Sequence, residues 1–491
     1  MNVFLSLKRD SDKNARYAGS DLLSPDTVFA YNSDDIIVKL LEPSPGIQFR
    51  SLKGSREDER SASQTYDEDL AHKAGVNVLA IDRHYGRYLV SGGADPSIRL
   101  WDLDDRGSEL QYLHEAKASV DRRTRHELAH THSLTSISIY PFDPTPSTIL
   151  TTSRDNTLKL SAIGNAEITP AHTFDLHATP YCHSLSSHSA STLLIAAGTS
   201  ERTIRLLDLR SGLATHTLLG HDSAVLSLDW APQRPYILAS ASTDNRAIIF
   251  DIRKAGTSSA IGFLDMDNTA GVSAHSETWG SVAKHHAFTR HGRAHNGALT
   301  GIRWTSTGSH LITAGQDSRL RVWDATTGTN TLVHFGPRLR NSASTHLAER
   351  APLMLPSSLV EAGHEILLWP NFNDQEDRGE ILMFEIRDGT FIKTLKVPGL
   401  MSATHQQRMG KSSALSAGRI NALAWRGNGG SGEGLELFSA HGDGTIRTWA
   451  SHVAEDEPDI ESNDEPDTRK RKRDVLEEIY QGLTGSPVTF T

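Results

Sequence analysis

The sequence predicts an all-β fold: a closed ring of seven small sheets, with a short helical segment before it and a disordered, charged tail after it. Three observations carry that expectation. A pattern of His, Ser or Thr, Asp and an aromatic residue returns along the chain at matched spacing. Within each copy, short runs such as Ser136–Ile139 and Thr300–Trp304 alternate apolar and polar residues, the period of half-buried strands. The 38 Gly and 19 Pro among 491 residues supply the turns that many short strands need.

The clearest copies contain His72, Ser91, Asp95 and Trp101; His221, Ser240, Asp244 and Phe250; and His295, Thr313, Asp317 and Trp323. In each, an apolar residue follows the His by four, the hydroxyl residue precedes the Asp by four and the aromatic follows it by six. Weaker copies keep parts of the register: His130, Thr151 and Asp155 ending on Ser161, His177 and Glu201 ending on Leu207, a degraded unit ending on Phe384, and Ile420, Ser439 and Asp443 ending on Trp449. Seven endings result. Strand-rich units of about 40–45 residues that close on Trp-Asp are the WD-repeat signature, and seven of them build a propeller. The ring is expected over residues 65–452, with surplus length in polar loops at 104–127, 254–292, 338–361 and 401–417. Thr65–Ala71 is expected to lie beside the last blade and close the circle, since an open ring would leave strand edges free to pair between molecules.

The recurring residue types have one physical reason. An Asp in a tight turn accepts a hydrogen bond from a buried imidazole, the imidazole bonds a hydroxyl, and the hydroxyl accepts from the Trp indole. A fully satisfied chain of this kind stiffens a blade. The sets His72, Ser91, Asp95, Trp101 and His295, Thr313, Asp317, Trp323 are complete. His221, Ser240 and Asp244 lack the indole, because Phe250 stands in its place.

Outside the ring, residues 1–45 read as helical. Ser24-Pro25-Asp26 and Ser33-Asp34-Asp35 are helix starts, the second leading into Ile36, Ile37 and Leu40 before Pro43 and Pro45. Residues 46–64 read as a polar, acidic spacer. In the tail, 453–491, eight acids between Glu455 and Asp467 precede the basic run Arg469, Lys470, Arg471, Lys472, Arg473. Such a run reads as a nuclear-import signal, with direct nucleic-acid contact as the other reading, and a short helix is expected over Asp474–Gln481.

Little in the chain points to reaction chemistry. The net charge is −10, which disfavours a globally basic nucleic-acid binder. A single cysteine, Cys182, excludes intrachain disulfides and thiolate zinc sites, and fits a reducing compartment. No apolar run approaches the roughly 20 residues that cross a bilayer, so no membrane partner is expected. His285, His286 and His291 lack the spacing of a metal site. Gly427–Gly432 matches a dinucleotide-binding fingerprint by letters but falls between two strands, and Gly410-Lys411-Ser412 lacks the upstream glycine of a phosphate loop. No catalytic residue, metal, cofactor or small-molecule substrate is expected, and the protein reads as a non-enzymatic scaffold of the nucleus.

Longer strings narrow the reading. Ala294–Ile302, Gly308–Trp323, Gly328–Val333, Gly86–Asp95 and Tyr236–Asp244 closely resemble the Cockayne syndrome group A family of WD-repeat proteins, well over 72–335 and loosely over 360–450. The resemblance implies a substrate receptor of a cullin-4-type RING ubiquitin ligase in transcription-coupled nucleotide-excision repair. Such receptors dock an N-terminal helical segment and two successive blade ends, of motif W-D-x-R, onto the damaged-DNA-binding-protein adaptor. Here Asp208 and Arg210, then Asp251 and Arg253, match the charged part of that motif, while Leu207 and Phe250 depart from its Trp. Phe4, Leu5, Ile36, Ile37 and Leu40 are the corresponding helical contacts. The resemblance further implies that another surface recruits repair factors and RNA polymerase II complexes. A histone-binding scaffold without a ligase is the alternative.

Overall fold

The computed structural model describes residues 41–51, 70–107, 109, 111–121, 129–142, 148–164, 167–186, 193–254, 256–268, 292–341, 349–355, 365–373, 378–397, 418–426 and 435–451. They form a seven-bladed β-propeller. Blade 1 comprises Val76–Ile81, Tyr88–Gly93, Ile98–Asp102 and Ala118–Val120, and blade 2 Leu134–Ile139, Thr148–Ser153, Thr157–Ile163 and Ile168–Asp175. Blade 3 runs through Pro180–Leu185, Leu194–Thr199, Thr203–Asp208 and Leu213–Leu219, and blade 4 through Val225–Trp230, Ile237–Ser242, Ala247–Asp251 and Ala260–Phe263. Blade 5 has three strands, Leu299–Trp304, His310–Gly315 and Arg319–Asp324. Blade 6 is Leu353–Met354, Ile366–Asn373, Arg378–Glu385 and Phe391–Lys396, and blade 7 is Ile420–Arg426, Glu436–His441 and Ile446–Ser451.

Each blade is too thin to bury both of its faces alone, so the core lies between blades. Among the described residues there are seven apolar clusters, and each joins two neighbouring sheets. The alternation of a strand divides its side chains between seams. Leu206, for example, packs toward blade 4, whereas the adjacent Leu207 packs toward blade 2. Around the central channel, side chains of the innermost strands lace one blade to the next: Asn421 Nδ2 donates to the Val76 carbonyl at 2.8 Å, Asn77 Nδ2 to Leu134 at 3.0 Å, and Thr135 Oγ1 to Pro180 at 2.8 Å.

Closure differs from expectation. The strand beside blade 7 is Leu41–Pro43, antiparallel to Ile446–Ser451 with Leu41 opposite Ser451 and Pro43 opposite Trp449. Thr65–Ala71 does not play that part: 65–69 lie outside the described residues, and the buried Leu70 and Ala71 belong to no strand. The next residues, assigned to a spacer, form a second strand, Ile47–Arg50, parallel to Tyr112–Glu115 in the connection between the third and fourth strands of blade 1. Ten residues of chain therefore clasp the last blade to the first. Ile47 and Phe49 alternate inward with Gln48 outward, the half-buried strand period, and Pro43 sits at a sheet edge where its missing N–H costs nothing. Three expected polar loops also hold strands: Ala118–Val120 and Tyr112–Glu115 fall within 104–127, Ala260–Phe263 within 254–292, and Leu353–Met354 within 338–361.

Phe49 is the centre of the clasp. Its ring stands edge-on to Trp101 of blade 1 at 5.3 Å and to Phe438 of blade 7 at 5.9 Å, and stacks on His114 at 4.9 Å. Charges cross the same seam. Arg426 of blade 7 pairs with Asp104 beyond blade 1 and with Glu436 at 3.2 Å, and Arg106 reaches Glu436 from the other side. Truncating Phe49→Ala removes the ring shared by three neighbours, and is expected to cost about 3–5 kcal/mol, read as a fall in the urea midpoint. A loss below about 1 kcal/mol would mean that the clasp is not what holds the ring shut.

Candidate docking face

Antiparallel strands put the turns of every blade at two ends. The second-to-third turns and the links between blades emerge on one side, here the upper face. The first-to-second and third-to-fourth turns emerge on the lower face.

The upper face carries the hydroxyl–imidazole–carboxylate relay. In blade 1, Trp101 Nε1 donates to Ser91 Oγ at 2.9 Å, Ser91 Oγ lies 2.7 Å from His72 Nε2, and His72 Nδ1 lies 3.1 Å from Asp95 Oδ1. Blade 5 repeats it with Trp323 to Thr313 at 2.9 Å, Thr313 to His295 at 2.8 Å, and His295 to Asp317 at 2.9 Å. In blade 4, His221 joins Ser240 at 2.7 Å and Asp244 at 3.0 Å, with the Phe250 ring packed nearby and no indole. Blade 2 keeps His130 between Thr151 and Asp155, both at 2.9 Å, without an aromatic end. Blade 3 has no such relay, because the His177 side chain is exposed. Blade 7 is altered: His441, the last residue of its second strand, bonds Ser439 at 2.6 Å, and the buried Trp449 Nε1 and His441 Nδ1 find no partner among the described residues.

Burial sets the titration of these groups. Desolvation holds His72, His295 and His441 below the ordinary imidazole value. Burial alone would raise Asp95, Asp155, Asp244 and Asp317, but hydrogen bonds from their histidines outweigh it and hold the carboxyls low.

Two features escaped the sequence reading. A cation follows the turn acid by four residues in five blades: Arg99, Lys159, Arg205, Arg321 and Arg447. Arg321 pairs with Asp317 at 2.9 Å and Arg447 with Asp443 at 2.8 Å. In blade 1 the Asp95 carboxylate is already taken by His72, Ser97 and the Lys73 N–H, and the buried Arg99 Nε and Nη1 lack a partner among the described residues. The spacing was visible in the sequence. The second feature was not: innermost strands of blades 4 and 5 bring Asp229 and Arg303 to the channel, where Arg303 meets Glu349 at 3.0 Å and burial lifts Asp229 to about 6.

The lower face holds the Asp-x-Arg endings of blades 3 and 4. Asp251 and Arg253 form a two-point ion pair, Nε to Oδ1 at 3.0 Å and Nη2 to Oδ2 at 2.7 Å, with the guanidinium stacked 4.9 Å from the Tyr236 ring centre. Asp208 Oδ1 accepts from the Arg210 backbone N–H at 2.9 Å, and the exposed Arg210 guanidinium has no partner among the described residues. The outer strand of blade 3 ties the two endings together through His216 Nε2 and the Ile252 carbonyl, 3.1 Å apart. Phe4, Leu5, Ile36, Ile37 and Leu40, the basic run Arg469–Arg473, and His285, His286 and His291 lie outside the described residues.

Comparison with known proteins agrees with this architecture. A profile described as WD domain, G-beta repeat, matches residues 64–102, 122–160, 212–251 and 287–324. The WD repeat-containing protein ATCSA-1 of Arabidopsis thaliana is 31% identical over 316 residues, covering 54% of this chain and 69% of that protein. The ribosome biogenesis proteins ytm1 of Neosartorya fischeri and Aspergillus niger are 29% and 30% identical over 272 residues, and the chain spans about half of their length, 52%. These relatives correct the narrower expectation of a Cockayne syndrome group A protein. Relatives described as a WD repeat-containing protein and as ribosome biogenesis proteins each match about half of the chain, 54% and 51%, so the similarity identifies repeats, not that one repair protein.

The buried groups fix the acid response. A histidine or aspartate held below its ordinary value binds fewer protons folded than unfolded, so stability falls as pH falls through that window. The histidines act below about pH 6.5 and the aspartates below about 4. Asp229, lifted to about 6, acts oppositely between about 4 and 6, as one group against several. Urea unfolding is therefore expected to give a midpoint that is level above about pH 7, declines below about 6.5 and drops more steeply below about 4. A midpoint unchanged from pH 7 to 5 would exclude buried neutral imidazoles.

Proposed function

The chain belongs to the family of WD repeat-containing proteins that includes ATCSA-1, and on that footing we propose that it is a non-catalytic scaffold of the nucleus, the substrate receptor of a cullin-4-type ubiquitin ligase. The observation that carries the reading is the pair of Asp-x-Arg endings on adjacent blades, side by side on one face and braced by His216. Two presented arginines at fixed separation suit a single rigid partner, here the damaged-DNA-binding-protein adaptor. The receptor's contribution is proximity: it holds a target near a ubiquitin-loaded enzyme and raises effective concentration without bond chemistry of its own. A setting in transcription-coupled excision repair, with repair factors and RNA polymerase II complexes as partners, belongs to the same proposal.

One specific observation favours a second reading. The relatives named as ribosome biogenesis proteins match over half of this chain, which fits a scaffold for pre-ribosomal particles. Mass spectrometry of proteins co-purified with the full chain, before and after transcription-blocking DNA damage, separates the two by recovering cullin and adaptor or pre-ribosomal proteins.

Arg210→Ala combined with Arg253→Ala is expected to abolish adaptor co-purification while the protein still melts cooperatively, since both guanidinium groups are exposed. Undiminished recovery of the adaptor would sink the receptor reading.

A further inference from the structure

Beside the two Asp-x-Arg endings, the lower face of blades 3 and 4 presents two large apolar side chains. Leu213, at the start of the outer strand of blade 3, is 67% exposed, and Tyr236, at the first turn of blade 4, is 37% exposed. Isolated exposed apolar residues are ordinary, but these two stand on the same face of neighbouring blades, among exposed cations. Arg210, Arg234, Arg253 and Lys254 are exposed there. Of the nearby carboxylates, Asp251 is paired with Arg253 and Asp208 accepts the Arg210 backbone N–H, so four cations stand against two acids. A protein of net charge −10 thus shows a locally cationic patch with an apolar centre.

The centre is also rigid before anything binds. The Tyr236 carbonyl accepts from the Ile252 N–H at 3.0 Å, its ring is capped by the Arg253 guanidinium, and that guanidinium is held by Asp251 through Nε and Nη2 while the side chain stays exposed. A tyrosine and an arginine locked in place lose little freedom on association, and such residues carry most of the energy of protein interfaces.

We infer that Tyr236 and Leu213 are the apolar anchors of the adaptor-docking surface, and that they receive an aliphatic side chain carried on an acidic segment of the adaptor. The inference rests on the receptor reading above. The acidic character follows from charge complementarity with a face on which four cations outnumber two acids, and the aliphatic side chain from the apolar chemistry of the exposed Tyr236 ring and Leu213.

The test is titration of full-length protein with purified adaptor at several salt concentrations. Tyr236→Ala and Leu213→Ser are each expected to weaken binding about tenfold or more, with the salt dependence of the residual binding unchanged, and Tyr236→Phe is expected to bind as the unaltered protein does. Arg210→Ala with Arg234→Ala is expected to flatten the salt dependence. If Tyr236→Ala and Leu213→Ser bind within about twofold of the unaltered chain while the arginine variants lose binding, the apolar anchors are wrong and the receptor reading stands. If the unaltered chain does not bind the adaptor at all, both fall. Unchanged melting of each variant separates lost contact from lost fold.

Discussion

Closure of the ring is the constraint on which everything else depends. Six of the seven seams join blades that are consecutive in sequence, so the chain brings their faces together at little extra entropic cost. The seventh joins residues more than 300 positions apart, Trp101 and Phe438, and nothing in the repeats themselves pulls those two together. The molecule solves this with Leu41–Arg50. One half of that segment completes blade 7, the other half pairs beside blade 1, and Phe49 fills the gap between their cores. Strand pairing and apolar burial act together there, and the Arg426–Glu436–Arg106 charges close over the same joint. Without it, two sheet edges and two apolar faces would meet water.

The relay on the upper face stiffens individual blades without being needed in each of them. Blades 1 and 5 have the full chain from indole to carboxylate, blades 2 and 4 lack the indole, and blade 3 has none. A missing aromatic end is tolerable because a phenyl ring or a small side chain leaves no buried N–H unsatisfied. Blade 7 is the costly case. It keeps Trp449 but spends its serine hydroxyl on His441, so a buried indole N–H is left without a partner among the described residues. That this blade also receives the clasp is consistent: Pro43 lies directly opposite Trp449, and external pairing supports the sheet whose internal relay is poorest.

Periodic features were legible in the sequence, and singular ones were not. Blade count, the third-strand endings and the relay residues recur, so each copy checks the others. The closing strand occurs once. Leu41-Glu42-Pro43 has no repeat to align with, and three residues are too few for a period to emerge against the flanking apolar run from Ile36. Ile47–Arg50 did alternate, but four residues beside Pro and Gly read as spacer. The same limit hid Leu353–Met354, a two-residue inner strand whose identity is set by its neighbours. The channel charges were beyond reach for another reason: Asp229, Arg303 and Glu349 are far apart in sequence and meet only because blades 4, 5 and 6 curve around one axis. The Asp-x-Arg endings were readable as letters. What could not be read was that Tyr236, from a different turn, lies under Arg253.

The two faces use the same chemistry for opposite ends, and burial decides which. On the upper face Asp317 and Arg321 form an ion pair whose two side chains are about nine-tenths hidden, held to a histidine and a hydroxyl. Its desolvation has already been borne by folding, and breaking it would strand a buried charge. On the lower face Asp251 is equally hidden, but the Arg253 side chain is 63% exposed. An ion pair half in water contributes little to holding the blade together. What it does do is fix a guanidinium in orientation while leaving donors and one ring face open. A residue that contributes little to the fold yet is held rigidly by it has the properties of a recognition element, whereas the upper-face acids are consumed by the structure they stabilise. Burial, not the face alone, thus separates the charges that hold the propeller closed from those that are free to grip a partner: the buried Arg426–Glu436 pair also lies at the lower ends of its strands, yet serves closure.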